Sequence, residues 1–238
     1  MIASDPEHAL AELRASVAGC RGCVLAEGRT QVVFGAGASE ADLMFVGEGP
    51  GYNEDKQGEP FVGQAGRLLT ELLAEIGLAR KDVYIANVVK CRPPENRDPT
   101  PEEIESCRPH LMRQIEIIKP QVICTLGRFA TRLLAETEQS MGAVHGRAKQ
   151  RTLAGIDTVI FPVFHPAAAL YARTNREVLA EDFGRLRVLL ERGAGAFSRL
   201  AENTAPKETP EDGGQDGGAE RGRQSGQGPR QTEQLPLW

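Results

Sequence analysis

Five cysteines punctuate this chain, at positions 20, 23, 91, 107 and 124. Cys20 and Cys23 form a close chelating pair in "CRGC", while Cys91 and Cys107 bracket a segment patterned as a helix, so folding could gather all four thiolates. Cys124 falls within an apolar, strand-like run and reads as a small buried hydrophobe. A disulfide framework is disfavoured in a reducing compartment, which leaves a four-thiolate metal centre as the stronger reading. Zinc usually takes two close pairs. One close pair joined by two single, widely spaced cysteines suits an iron-sulfur cluster better, with zinc as the alternative.

A second group of residues occupies the ends of apolar runs. "VGEGPGYNEDKQGEPFVGQAG" (46–66) looks at first like a phosphate-cradling loop, because an apolar run enters it and an amphipathic helix leaves it. Loops that wrap phosphate usually end in Lys followed by Ser or Thr. This one sets Glu48, Glu54, Asp55 and Glu59 against a single Lys56, so phosphate is not what it holds. Asn87 closes the next apolar run and His165 a later one. A carboxylate can activate water or stabilise a cation, a histidine can donate to a developing anion, and a carboxamide offers donor and acceptor together.

The elements that must position these groups alternate strand and helix. Asp5 and Pro6 open a first helix as N-cap and first residue. "DLMFVG", "DVYIANVV", "QVICTLG" and "DTVIFPVFHP" read as four strands. Between them lie "AGRLLTELLAEIGL", whose leucines share one face, and "TPEEIESCRPHLMRQIEIIK", which opens on a capping box. "RFATRLLAE" and "REVLAEDFGRLRVLLERG" supply the later helices. The pattern predicts an α/β fold with a central four-stranded parallel sheet and helices on both faces. Ligands of such sheets bind beyond the carboxyl ends of the strands, and that rule brings Glu48, Asn87 and His165 to one crevice.

At 238 residues the chain can bury one sizeable core, expected over 1–199. From about Leu200 the composition turns to Gly, Pro, Gln and Glu, and 200–233 reads as a disordered linker. That tail carries four of the 28 basic and seven of the 33 acidic side chains, leaving 24 against 26 in the folded part. Near neutrality neither demands nor excludes a nucleic acid. "HGRAKQR" (145–151) is the densest basic cluster, and on its own it reads as a solvated face. No stretch approaches the roughly 20 apolar residues of a membrane span. "VAGC" (17–20) imitates a lipoprotein cleavage site, but the charged residues before it leave no apolar core for a signal peptide. A cytoplasmic monomer is expected.

Taken together, "GEGPGYNEDKQGEPFVGQAGRLL", "YIANVVKCRPPENRDPTPEEIESCRP", "FHPAAALY" and the spacing of the four cysteines resemble the family 4 uracil-DNA glycosylases, the iron-sulfur class of their superfamily. The resemblance runs from about Cys20 to Leu190. It implies a 4Fe-4S cluster on Cys20, Cys23, Cys91 and Cys107, with a structural role. It also implies action on DNA containing uracil, whose base is flipped out of the stack before its glycosidic bond is cut. Gly49, Glu54, Phe61 and Asn87 would form the base pocket: glycine for close backbone approach, Phe61 for stacking, Asn87 for the base edge, and Glu54 as a wall at C5. Glu48 and His165 would be catalytic. A related class that traps itself covalently on DNA carries a basic, histidine-containing insert after the second strand; "RPPENRDPTPEE" has no histidine, so turnover is expected. Candidate DNA contacts are Gln64 at a helix start, Leu170 as a wedge, and Tyr171 and Arg173 on the backbone. A non-catalytic nucleic-acid-binding module on the same fold would be expected to lack Glu48 or His165, and both are present. A metal-dependent hydrolase would need a second histidine or carboxylate motif. Finally, "QLPLW" (234–238) resembles the peptides by which bacterial repair proteins dock on the replication sliding clamp, with Gln234, Leu235, Leu237 and Trp238 as its contacts and the linker as its tether.

Overall fold

The computed structural model describes residues 5–170 and 173–193. Tyr171, the linker and the clamp-like peptide with Gln234, Leu235, Leu237 and Trp238 lie outside the described residues. Helix α1 (Pro6–Ala18) starts on the Asp5 cap and is followed by α2 (Leu25–Gly28). Strands β1 (Ala36–Gly37) and β2 (Leu43–Gly47) come next, then α3 (Tyr52–Gln57), α4 (Gln64–Glu75) and β3 (Tyr84–Asn87). Helix α5 (Pro101–Ile118) opens on a reciprocal Thr100–Glu103 capping box. The same Glu103 carboxylate receives both guanidinium nitrogens of Arg97, at 2.9 and 2.6 Å, which fastens the preceding turn to the helix. Strand β4 (Val122–Leu126), helices α6 (Arg128–Ala135) and α7 (Met141–Val144), strands β5 (Lys149–Leu153) and β6 (Ile156–Val163), and helix α8 (Arg173–Arg192) complete the order.

The sheet runs β1-β3-β2-β4-β6-β5. Its four central strands are the expected ones and pair in parallel, but the strand count is six rather than four. Both additions are antiparallel edges. Two residues give β1 no period to read, and "KQRTL" in β5 buries only Leu153, as suits a polar edge strand that discourages further pairing. Part of the basic cluster at 145–151 is therefore sheet edge and not merely a solvated face. A two-residue turn joins β5 to β6 through Ala154 (φ 50°) and Gly155 (φ 78°), the left-handed pair that a tight hairpin requires.

Alternation along the buried strands divides the interior in two. Met44, Val46, Tyr84, Ala86, Ile123 and Ile160 face one core with α1 and α5. Phe45, Ile85, Cys124, Phe161 and Val163 face the other with α4 and α8. The helices on both faces thus form three layers, as expected. No described helix is long and apolar enough to cross a membrane.

One polar network crosses the first core. Lys90 is 1% exposed, and its ammonium donates to the Asn87 carbonyl at 2.9 Å and to Gln114 Oε1 at 2.6 Å. Gln114 in turn donates through Nε2 to the Phe34 carbonyl and the Tyr84 hydroxyl, at 2.9 and 3.1 Å. Gln114→Leu removes a partner from three buried groups at once, one of them charged. The expected loss is on the order of 3 kcal/mol, measurable by urea denaturation.

Candidate active site

The crevice opens where the strand order reverses, beyond the carboxyl end of β2, with β3 on one side and β4 on the other. Ligands of open α/β sheets bind at such a point. The first two walls continue to pair past their strands: Val88 N–H donates to the Gly47 carbonyl and Val89 N–H to the Glu48 carbonyl, at 2.9 and 3.0 Å. At Gly47, opposite Asn87 in the register, a Cβ would fall 2.5 Å from Asn87 Oδ1 and 2.6 Å from the Phe61 ring. At Gly49 it would fall 2.8 Å from Val89. Only glycine lets the loop lie this close. Across the crevice, Gly127 takes φ +86° at the end of β4, and its missing Cβ would sit 3.1 Å from that of His165.

Phe61 is 7% exposed and packs with the second core. Its backbone is left-handed at φ 54°, an unfavourable state for a bulky residue, and three contacts hold it there. Arg80 donates to the Pro60 and Phe61 carbonyls at 2.7 and 3.2 Å. Gly66 leaves room for the Phe61 carbonyl, which a Cβ would meet at 1.8 Å. Glu54 Oε1 accepts from Val62 and Gly63 N–H at 2.9 Å each. The Phe61 ring then stacks on His165, with centroids 5.6 Å apart and planes at 27°.

The three polar groups differ in state. Asn87 is 2% exposed, and its Oδ1 has no hydrogen-bond partner among the described residues. His165 Nδ1 accepts from Ala167 N–H at 3.1 Å. Burial pulls the imidazole pKa down to about 4, against an upward pull from Glu54, so the ring is neutral at pH 7 and Nε2 carries its proton. Burial pushes the Glu48 carboxyl up to about 7; Asp98 adds to the rise and Arg128 opposes it. Arg128 is itself paired with Asp98. Sequence spacing gave no sign of that pair, but Arg128 follows a strand end like the other site residues, and the same rule applied to the third strand points to it.

The structure sets Phe61 beside Gly47 and His165, Gly47 beside Asn87, and Glu54 on the Val62 and Gly63 backbone, with Glu48 and Gly49 directly after β2. The three candidate DNA contacts are not tied to these groups by any hydrogen bond among the described residues. Gln64 is exposed at the first position of α4. Leu170 is partly buried against the second core, and Arg173 is exposed and paired with Glu177 at 3.1 Å.

On the first face of the sheet, Cys20, Cys23, Cys91 and Cys107 line a single pocket. Cys91 and Cys107 are buried there, with the other two packed against the core edge. Several N–H groups aim at the sulfurs: Lys90 at Cys107 (3.2 Å), Gly22 at Cys20 (3.4 Å) and Arg29 at Cys91 (3.4 Å). Cys124 belongs to the opposite core. No three His, Cys, Asp or Glu side chains among the described residues close on a point that would hold one metal ion.

The profile of the uracil DNA glycosylase superfamily matches residues 34–187. The chain belongs to that superfamily. It is 48% identical over 185 residues to the type-4 uracil-DNA glycosylase of Sulfurisphaera tokodaii, covering 76% of this chain and 84% of that protein. It is 49% identical over 176 residues to the type-4 uracil-DNA glycosylase of Saccharolobus solfataricus, covering 72% and 82%. Similarity to a type-5 uracil-DNA glycosylase of Pyrobaculum aerophilum falls to 30% over 163 residues, covering 61% and 70%. The glycosylase-superfamily match spans all four central strands and every crevice residue named above.

Titration of the Glu48 carboxyl, followed by its carbon NMR shift, is expected at about 7. Asp98→Asn removes a neighbouring anion and lowers that value, whereas Arg128→Gln removes a cation and raises it. A midpoint near 4.5 in the parent chain would show that Glu48 is solvated and not held in the crevice.

Proposed function

We propose that this chain hydrolyses the N-glycosidic bond of deoxyuridine in DNA, leaving an abasic site. The observation that carries the reading is Asn87 Oδ1, a buried acceptor without a partner among the described residues, beside Gly47, which Glu48 follows. Uracil presents N3–H to such an acceptor, whereas cytosine presents a lone pair there and would leave it unmet. The relatives named type-4 uracil-DNA glycosylases support the same substrate.

In this reading the flipped uracil stacks on Phe61, with the Gly49 backbone at the ring edge and Glu54 bracing the loop that carries the stack. Its exclusion of a C5 methyl is part of the proposal. As the bond to C1′ lengthens, charge develops on the uracil oxygens, and the Nε2–H of His165 donates to O2. A neutral imidazole suits this role because it binds the anion without surrendering a proton. Glu48 takes the proton of the attacking water as its hydroxide joins C1′, and a pKa near the working pH is what general base catalysis favours. Gln64, Leu170 and Arg173 would meet the DNA around the extruded nucleotide.

The four-cysteine pocket fits a 4Fe-4S cluster held by Cys20, Cys23, Cys91 and Cys107. Soft thiolates and N–H groups directed at sulfur support that fit. Such a centre, when bound, supplies a covalent tie between the segment after α1 and the segment after β3. We further assign 1–199 as the catalytic domain, 200–233 as a linker and 234–238 as a peptide for the sliding clamp, in a cytoplasmic monomer.

Incubation with a uracil-containing oligonucleotide, then alkali, should cleave the strand at the abasic site. Glu48→Gln and His165→Ala are each expected to slow excision by about 100-fold or more while keeping the fold. Intact strands from the parent chain would end the proposal. Iron content tests the centre independently: each of the four cysteine-to-serine variants should lose iron, and Cys124→Ser should retain it. Iron lost from Cys124→Ser alone would overturn the ligand set.

A further inference from the structure

Two of the loop's four carboxylates do not face outward, and Glu59 alone is exposed. Glu54 is spent on the Val62 and Gly63 N–H groups, and Asp55, 3% exposed, accepts from Thr30 N–H at 2.8 Å. What α3 shows to solvent instead is Tyr52, 56% exposed, with Lys56 one turn further along. Arg92, from the segment after β3, places its guanidinium 5.2 Å from the centre of the Tyr52 ring, and the Lys56 ammonium stands 5.8 Å from it. The Arg92 Nε donates to Asn96 Oδ1 at 2.8 Å, a neutral acceptor that orients the guanidinium and leaves its charge for an outside anion. Asn96 itself takes a left-handed backbone at φ 55°, so the orienting group sits in a tight turn.

Tyr52 opens α3, four residues after Glu48. It follows the loop that carries Glu48, and Arg92 lies five residues beyond Asn87, so the platform joins the ends of β2 and β3. An exposed aromatic ring flanked by two cations has the composition of a single-strand stacking site: the ring meets the face of a base and the cations meet the phosphates on either side. We propose that Tyr52, Arg92 and Lys56 form a platform for an unpaired base of the DNA strand next to the extruded uracil. The inference extends the glycosylase reading and rests on it for the identity of the strand. A base within a duplex already has both faces stacked, so the platform acts on single strands.

Fluorescence anisotropy with a uracil-containing single strand and with its duplex tests this, using Glu48→Gln protein so that no substrate is consumed. Tyr52→Ala in that background should weaken single-strand binding about tenfold and change duplex binding by less than about twofold. Tyr52→Phe should keep the parent affinity, since the ring and not the hydroxyl is invoked. Arg92→Gln and Lys56→Gln should each lower the slope of log affinity against log salt by about one unit or less. Unchanged single-strand binding in Tyr52→Ala, an equal loss on the duplex, or a Phe variant as weak as the Ala variant would each overturn the platform. Excision by the parent chain is measured separately. Active parent protein with an unaffected Tyr52→Ala variant removes the platform alone, whereas inactive parent protein with weakened single-strand binding removes the glycosylase reading alone.

Discussion

Lys90 carries an ammonium into a core that has little else polar, and an unpartnered cation there would cost several kcal/mol. Its donations to the Asn87 carbonyl and to Gln114 offset part of that cost, though burial still lowers its pKa to about 8, and they dictate much of what surrounds them. Gln114 must lie on the inward face of α5, within reach of Phe34 and Tyr84. The end of β3 must turn so that the Asn87 carbonyl points back into the protein, which leaves its side chain facing the crevice. Through its own backbone N–H, Lys90 also reaches Cys107. The Asn87 carbonyl and the Cys107 sulfur are therefore tied to the same buried residue.

A second constraint is the loop from 47 to 66. Holding a phenylalanine at positive φ costs about 1 kcal/mol or more, and strain of this kind survives only where the surroundings over-determine it. Arg80 on two carbonyls, Gly66 beneath them and Glu54 on the next two N–H groups supply that excess. Two of the carboxylates that seemed to forbid phosphate, Glu54 and Asp55, act as internal fasteners, while Glu59 stays exposed.

Much of this was legible before any coordinates. The four parallel strands announce themselves as short Val- and Ile-rich runs, and Glu48, Asn87 and His165 follow from the rule that ligands gather at strand ends. The fifth cysteine was separable because it sits inside such a run. Strand β5 was hidden because an edge strand needs polar side chains, so its sequence mimics a loop. Arg80 and Asp98 were hidden for another reason: they act through space, on carbonyls or on charges distant in the chain, and no periodicity records such a contact. Lys90 is the extreme case. A lysine beside a cysteine in a turn-rich segment reads as solvent-facing, and its burial rests on the Asn87 carbonyl and on the Gln114 side chain, 24 residues away.

The orphan oxygen of Asn87 has a kinetic side. An acceptor buried before any base arrives must be uncovered as the base enters, and in the proposed reading only an N3–H donor would then satisfy it. The same oxygen, however, is indifferent to the sugar. Once C1′ has been released, the free base still carries the N3–H that was recognised, and the stack on Phe61 is untouched by bond cleavage. In the proposed reading the contacts that recognise the base therefore outlast the bond, and they would hold the free base as they held the nucleotide.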